Sequence, residues 1–187
     1  MITLFIDAKK IIPNQHVNTV YEIDYDALLK DDIRALLFDL DNTLIPYDIH
    51  VPDERHHAFF KRLKTLGFNV FIISNNHKAR IKAFCESLDL PFLASAKKPL
   101  KSGFKKALKY LDINSEHVVM IGDQLMTDIY GAKRMKLKAI LVNPIKRKSE
   151  KWYTKINRKL EKKMLKKAKK KYPEDYKRRF MNEVNDG

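Results

Sequence analysis

Two aspartates one residue apart, Asp39 and Asp41, follow directly on the apolar run Ala35-Leu36-Leu37-Phe38. A carboxylate at the end of a buried strand is costly unless a cation or hydrogen bonds offset it. Further along, in order, come Ser74-Asn75-Asn76, then Lys97-Lys98-Pro99, then Gly122-Asp123 with Asp128 five residues later. The chemistry that needs this set is phosphoryl transfer through a carboxylate. Asp39 is the candidate nucleophile, taking the phosphoryl group as an acyl phosphate. Asp41 is the candidate acid and base, protonating the leaving oxygen and then activating the water that hydrolyses the intermediate. A carboxylate attacking a phosphate dianion meets strong repulsion, so positive charge must sit beside both. Asp123 and Asp128, with Asp39, offer the hard oxygen ligands that Mg²⁺ prefers, and Lys98 adds a second cation. The Ser74 hydroxyl and nearby backbone N–H groups suit the phosphoryl oxygens.

Each cluster alone has an ordinary reading: Asp-Asn-Thr as a turn, Ser74 as a helix cap, Lys-Pro as a loop pair, Gly-Asp as a turn dipeptide. Their shared placement argues otherwise. Short apolar runs predict strands at Ala35–Leu40, Asn69–Ile73, Pro91–Ala94, Val118–Ile121 and Ala139–Val142. Helical stretches lie between them at Pro52–Leu66, His77–Leu88, Leu100–Leu111 and Leu125–Met135, with a short helix at Tyr25–Leu29 before the first strand. This alternation predicts an α/β fold: a Rossmann-like three-layer sandwich around a mainly parallel five-stranded sheet. All four polar clusters fall just past carboxyl ends of strands, where open parallel sheets bind ligands.

The charge is uneven. The 187 residues carry a net +15; from Lys146 onward there are 17 Lys/Arg against 6 Asp/Glu, and before it 21 against 17. A nearly balanced body thus bears a strongly basic extension, which points to a polyanionic partner. The single cysteine, Cys85, allows no internal disulfide and suits a reducing cytoplasm. No run approaches the roughly 20 apolar residues of a membrane span. The opening MITLFIDAKK has no basic n-region and meets Asp7 early, so no secretory signal is expected.

Asp39-x-Asp41-x-Thr43, Ser74-Asn75, Lys98-Pro99 and Gly122-Asp123-x-x-x-x-Asp128 resemble, in order, the four motifs of the haloacid-dehalogenase (HAD) superfamily. In that superfamily an aspartate two residues after the nucleophile marks phosphatases, and Asp41 stands there. The resemblance implies the HAD fold, a metal site of Asp39, the Asp41 backbone carbonyl, Asp123 and Asp128, and a phosphate cradle of Thr43, Ser74, Asn75 and Lys98. A narrower match is to the YqeG-type group, related to mitochondrial phosphatidylglycerophosphate (PGP) phosphatase. It rests on Asp-Leu-Asp-Asn-Thr-Leu, Ser-Asn-Asn, Gly-Asp-Gln-Leu-x-Thr-Asp and the late Asn157-Arg158-Lys159-Leu160-Glu161, and runs from about Pro13 to Leu165. It implies PGP as substrate, with phosphatidylglycerol as product.

Spacing limits what covers the site. Thirty residues separate Thr43 from Ser74 and 23 separate Ser74 from Lys98, each enough for one helix and strand and neither for a cap domain. The chain therefore resembles the capless subclass III. An open site suits a phosphate carried on something large: a lipid, a nucleic-acid end or a protein.

The division expected is 1–34 as a segment packing on the core, 35–145 as the phosphatase core, and 146–187 as a basic amphipathic helix and tail. In the last, Trp152, Ile156, Leu160, Met164 and Ala168 make an apolar stripe among lysines, with Tyr153 and Leu165 beside it. That stripe either packs on the body, lies on an anionic membrane, or accompanies nucleic-acid or ribosome contact. Tyr172-Pro173 is expected to end the helix, and the last residues to lack order. His56, His57 and His77 are not spaced for a metal. Asn75 and Asn76 suit substrate contact or turn and cap duty equally, and Tyr47 and Asp48 fall near the pocket rim. Two function classes follow: a Mg²⁺-dependent phosphomonoesterase at the cytoplasmic face of the cell membrane, with nucleotide, nucleic-acid and protein phosphates as other substrates, or an RNA-binding module with a vestigial site.

Overall fold

Ala35, Leu36, Leu37 and Phe38 are all fully buried, which is what a strand covered on both faces requires. Each such large apolar side chain contributes roughly 1.5–3 kcal/mol. They form the central strand β2 (Ala35–Phe38) of a computed structural model that describes residues 7–145 and 152–180, with side chains in the second stretch from residue 160. The sheet order is β1-β6-β5-β2-β3-β4, every pairing parallel. The other strands are β1 (Gln15–Val17), β3 (Asn69–Ile73), β4 (Phe92–Leu93), β5 (Val118–Gly122) and β6 (Lys138–Val142). Helices α1 (Tyr25–Lys30), α2 (Glu54–Thr65), α3 (Lys78–Ser87), α4 (Lys101–Leu111) and α5 (Tyr130–Arg134) intervene. One apolar cluster packs α2 and α3 on one face of the sheet, and a second packs α4 and α5 on the other. This is a three-layer α/β fold, as the alternation of elements predicts.

The sheet has six strands where the sequence predicts five. The addition is β1, from the N-terminal segment, which pairs with β6 (His16 opposite Leu141). A three-residue strand with one branched side chain, half-buried throughout, carries too little pattern to be read. The helix expected at Leu125–Met135 begins instead as a wide π-helical turn, Leu125–Ile129, before α5. Such turns often occur at functional sites. The segments from Thr43 to Ser74 and from Ser74 to Lys98 hold only α2 with β3 and α3 with β4, so no cap domain is inserted.

The basic helix α6 (Trp152–Lys171) packs on the body through the described part of its stripe. Met164 and Ala168 are buried with Ala8, Ile11, Ile12 and Met126, while Leu160 is half-buried. The side chains of Trp152, Tyr153 and Ile156 lie outside the described residues. The last residues, 181–187, where loss of order is expected, lie outside the described residues; α6 ends before Tyr172-Pro173, as expected, and a helix that the sequence reading did not predict, α7 (Pro173–Phe180), follows. Pro173 at its first position, Glu174 and Asp175 in its first turn, and Lys177, Arg178 and Arg179 in its last supply the missed signal. Tyr176 and Phe180 stack at 4.8 Å. Among the described residues no helix is long and apolar enough to cross a membrane.

Candidate active site

β2 ends at Phe38 with β3 on one side and β5 on the other, and the chain crosses from one flank to the other after β4. That reversal opens a crevice at the carboxyl ends of β2 and β5. Asp39 stands in it, buried, its backbone N–H bonded to Ile121 O at 2.9 Å. The loop beyond turns sharply: Asn42 takes a left-handed conformation (φ 63°), and Leu44 N returns to Leu40 O at 3.0 Å. His56 secures this loop from outside. It completes a capping box with Asp53 at the start of α2 and donates from Nε2 to Leu44 O at 2.9 Å.

Lys98 reaches the centre from the loop after β4. Its ammonium lies 2.7 Å from Asp39 Oδ1 and 2.8 Å from Asp128 Oδ1, and the residue is 5% exposed. Asn75 fixes it: Asn75 Oδ1 accepts the Lys98 N–H at 2.6 Å and Nδ2 donates to Lys98 O at 2.9 Å. Both ends of this carboxamide therefore serve Lys98. Ser74, buried at the end of β3, accepts the Asn76 N–H on its hydroxyl at 3.1 Å. Thr43 Oγ1 lies 3.4 Å from both Asp39 Oδ2 and Asp123 Oδ1.

Asp128 sits within the wide turn, fully buried, where Oδ2 accepts the Gln124 N–H at 3.0 Å and Oδ1 the Thr127 hydroxyl at 3.2 Å. It folds back onto Gly122 so closely that a Cβ there would stand 2.4 Å from Asp128 Oδ2. One carboxylate oxygen each from Asp39, Asp123 and Asp128 lie within 4.8 Å of one another. Oxygens on opposite sides of a Mg²⁺ ion are about 4.1 Å apart, so small adjustments close the set around a hard divalent cation. Among the described residues, these three buried carboxylates converge beside the ammonium of Lys98, which pairs with Asp39 and Asp128. Burial pushes the Asp39 carboxyl up to about 7; Lys98 opposes this, while Asp128 and Asp41 add to it. Burial works against the Lys98 ammonium, but the Asp128 and Asp39 carboxylates outweigh it and hold its pKa above the ordinary range.

Two residues to which the sequence reading gave no role of their own complete the site. Arg80, on α3 and buried, lies 2.9 Å from Asp41 Oδ1 and donates to Pro46 O at 3.2 Å, while Asn76 Nδ2 donates to Asp41 Oδ2 at 3.1 Å. Glu161, on α6 and 5% exposed, accepts the Met126 N–H on Oε1 at 3.1 Å and so holds the turn that carries Asp128. Glu161 was noted only within a motif. His77 begins α3 without a side-chain cap bond, and Tyr47 lies with its ring 5.9 Å from the Arg80 guanidinium carbon.

Residues 1–146 match the family described as mitochondrial PGP phosphatase. The chain is 35% identical over 153 residues to the "Probable phosphatase YqeG" of Bacillus subtilis (strain 168), covering 82% of this chain and 88% of that protein. It is 32% identical over 154 residues to the glyceraldehyde 3-phosphate phosphatase of Pyrococcus furiosus, covering 74% of this chain and 63% of that one. It is 23% identical over 164 residues to phosphatidylglycerophosphate phosphatase 1 of Arabidopsis thaliana, covering 83% of this chain and 47% of that one.

Proposed function

Because the chain belongs to the mitochondrial PGP phosphatase family of HAD-type phosphatases, we propose that it hydrolyses a phosphomonoester through an aspartyl phosphate on Asp39, with phosphatidylglycerophosphate as substrate. The observation that carries the chemistry is buried Asp39 at the end of β2, with Lys98 at 2.7 Å and Asp123 and Asp128 in reach of a shared cation. An Asp39 oxygen attacks phosphorus as the ester P–O bond breaks, and Asp41 gives its proton to the departing alkoxide. Water then attacks the aspartyl phosphate, Asp41 takes its proton, and inorganic phosphate leaves with Asp39 restored. Lys98, Ser74 and Thr43 hold the phosphoryl oxygens, and Asn75 serves them through its grip on Lys98. Asp39, Asp123, Asp128 and the Asp41 backbone carbonyl would hold Mg²⁺, which would supply positive charge to offset repulsion between nucleophile and phosphate. Residues 35–145 form the catalytic core of this proposal, flanked by the segment 1–34 and the basic 146–187.

The lipid substrate draws support from the rim. Ile49, Val51, Leu100 and Ile145 are among the few large apolar residues left exposed, and all stand on loops that leave the carboxyl edge of the sheet. Scattered exposed apolar residues are ordinary, but here they gather on the loops around an uncapped site. Exposed lysines of α6, including Lys162, Lys163, Lys166 and Lys167, offer attraction to an anionic bilayer. The same lysines suit RNA, and the glyceraldehyde 3-phosphate phosphatase relative points to small soluble substrates.

A turnover panel of phosphatidylglycerophosphate in anionic vesicles, nucleotide monophosphates, glyceraldehyde 3-phosphate and phosphopeptides tests the reading. The expected result is preference for the lipid, dependence on Mg²⁺, and loss of all turnover in a folded Asp39→Asn protein. Preference for a soluble ester would overturn the lipid substrate alone. Normal turnover by Asp39→Asn would overturn the mechanism.

A further inference from the structure

Toward the amino end of β6, away from the carboxyl edge that carries Asp39, a cavity of about 340 Å³ opens between the Ala8–Ile11 turn, α5 and α7. Five cations line it: Lys9, Lys10, Lys133, Arg178 and Arg179. The two acids that share the lining are already engaged. Asp7 accepts the Lys9 N–H at 3.0 Å and the Tyr172 hydroxyl at 3.3 Å, and Asp175 pairs with Arg178 at 2.9 Å. Lys133 is half-buried, and its ammonium donates at 2.5 Å to Asn14 Oδ1, a neutral acceptor that also takes the Ala139 N–H at 2.9 Å. Among the described residues neither Lys133 nor Arg179 has a carboxylate within ion-pair distance.

We propose that this cavity is a second, non-catalytic site that binds a phosphate-type oxyanion of two or more charges between Lys133 and Arg179. Without an anion, two like charges share a partly desolvated space and each raises the cost of the other. Burial, with Arg179 acting in the same direction, lowers the Lys133 ammonium to about 8. A dianion relieves both effects: it neutralises the pair and accepts charge-assisted hydrogen bonds, with the Arg179 guanidinium suited to two at once. The volume equals roughly ten waters, ample for one or two phosphoryl groups. The bound anion would tie α7 to α5, the helix that continues directly from the turn of Asp128. The anion is either a soluble phosphate or the terminal phosphomonoester of a lipid headgroup.

Lysine-labelled full-length protein followed by NMR tests this without reference to activity. The Lys133 resonance is identified by its loss in Lys133→Gln, and its midpoint is expected near 8. Saturating pyrophosphate should raise that midpoint by about one unit or more; vesicles containing phosphatidate, a lipid phosphomonoester, form a separate arm. A rise with pyrophosphate alone assigns a soluble anion, and a rise with vesicles alone assigns a headgroup. Arg179→Gln should raise the midpoint in anion-free protein and weaken pyrophosphate binding about tenfold. A Lys133 midpoint unmoved by both additions, or pyrophosphate affinity unchanged in Arg179→Gln, would overturn the site.

Discussion

Arg80 and Asp41 form an ion pair at 2.9 Å inside the protein, the arginine 3% exposed, with Asn76 holding the other Asp41 oxygen. The proposed acid and base thus has its direction set by two neighbours on or beside α3.

If Arg80 orients Asp41, Arg80→Met should slow hydrolysis about tenfold or more for alkyl phosphates, which need a proton on the leaving oxygen. It should slow p-nitrophenyl phosphate much less, because that leaving group departs as an anion. Arg80→Lys should fall between. Values of kcat/KM on the two esters, which report formation of the aspartyl phosphate and not its common hydrolysis, give the ratio that decides; equal losses in kcat/KM on both would remove Arg80 from proton delivery.

The buried Asp39 gives the metal-free protein a distinctive pH response. Its carboxyl titrates at about 7 in the folded protein, above its ordinary 3.8. Over that interval the native state holds a proton that the unfolded state has lost, so stability falls as pH rises. This contribution is full below about 4 and gone above about 7. With chelator present, the melting temperature of wild type minus that of Asp39→Asn should decline across this window, and Mg²⁺ should restore it most at pH 8. A flat difference would contradict the assignment.

Glu161→Ala removes the acceptor for Met126 N–H and leaves a buried donor unpaired, at a cost of about 1–3 kcal/mol. Because that N–H belongs to the turn of Asp128, the expected effect is a several-fold rise in the Mg²⁺ concentration needed for half-maximal activity. Glu161→Gln, which keeps an acceptor oxygen, should retain most of the affinity. Metal titrations of the three proteins make the comparison, and an unchanged half-point in Glu161→Ala would detach α6 from the site.

Gly122→Ala places a Cβ 2.4 Å from Asp128 Oδ2, too close for either atom to stay. Displacing a ligand from its working position should cost activity by at least about tenfold, with weaker Mg²⁺ activation and a modest drop in melting temperature. Wild-type metal dependence in this variant would show that Asp128 has another position equally good.

The residues at strand ends were legible because each follows a short apolar run whose length leaves little choice of register. The strands were found for the same reason, apart from β1, where Gln15-His16-Val17 has no run to read. Arg80 was missed because an arginine near a helix start reads as exposed. Its signal was position: Phe84, one turn on, is buried on the same face. Glu161 had a similar signal, standing three, four and seven residues before Met164, Leu165 and Ala168, on the stripe that packs. The wide turn at Leu125–Ile129 had none, since it depends on Asp128 folding back to Gly122, a contact made only in three dimensions.

The pairing of β1 with β6 bears on how the chain is made. His16 leaves the ribosome 125 residues before its partner Leu141. At typical synthesis speeds that gap lasts roughly 6–25 s. Throughout it Ile11 and Ile12, buried in the finished protein, have no neighbours from β6 or α6 to cover them. The nascent chain therefore carries a waiting apolar segment throughout that interval. The brevity and polarity of Gln15-His16-Val17 make the strand itself a poor template for joining another chain in the meantime.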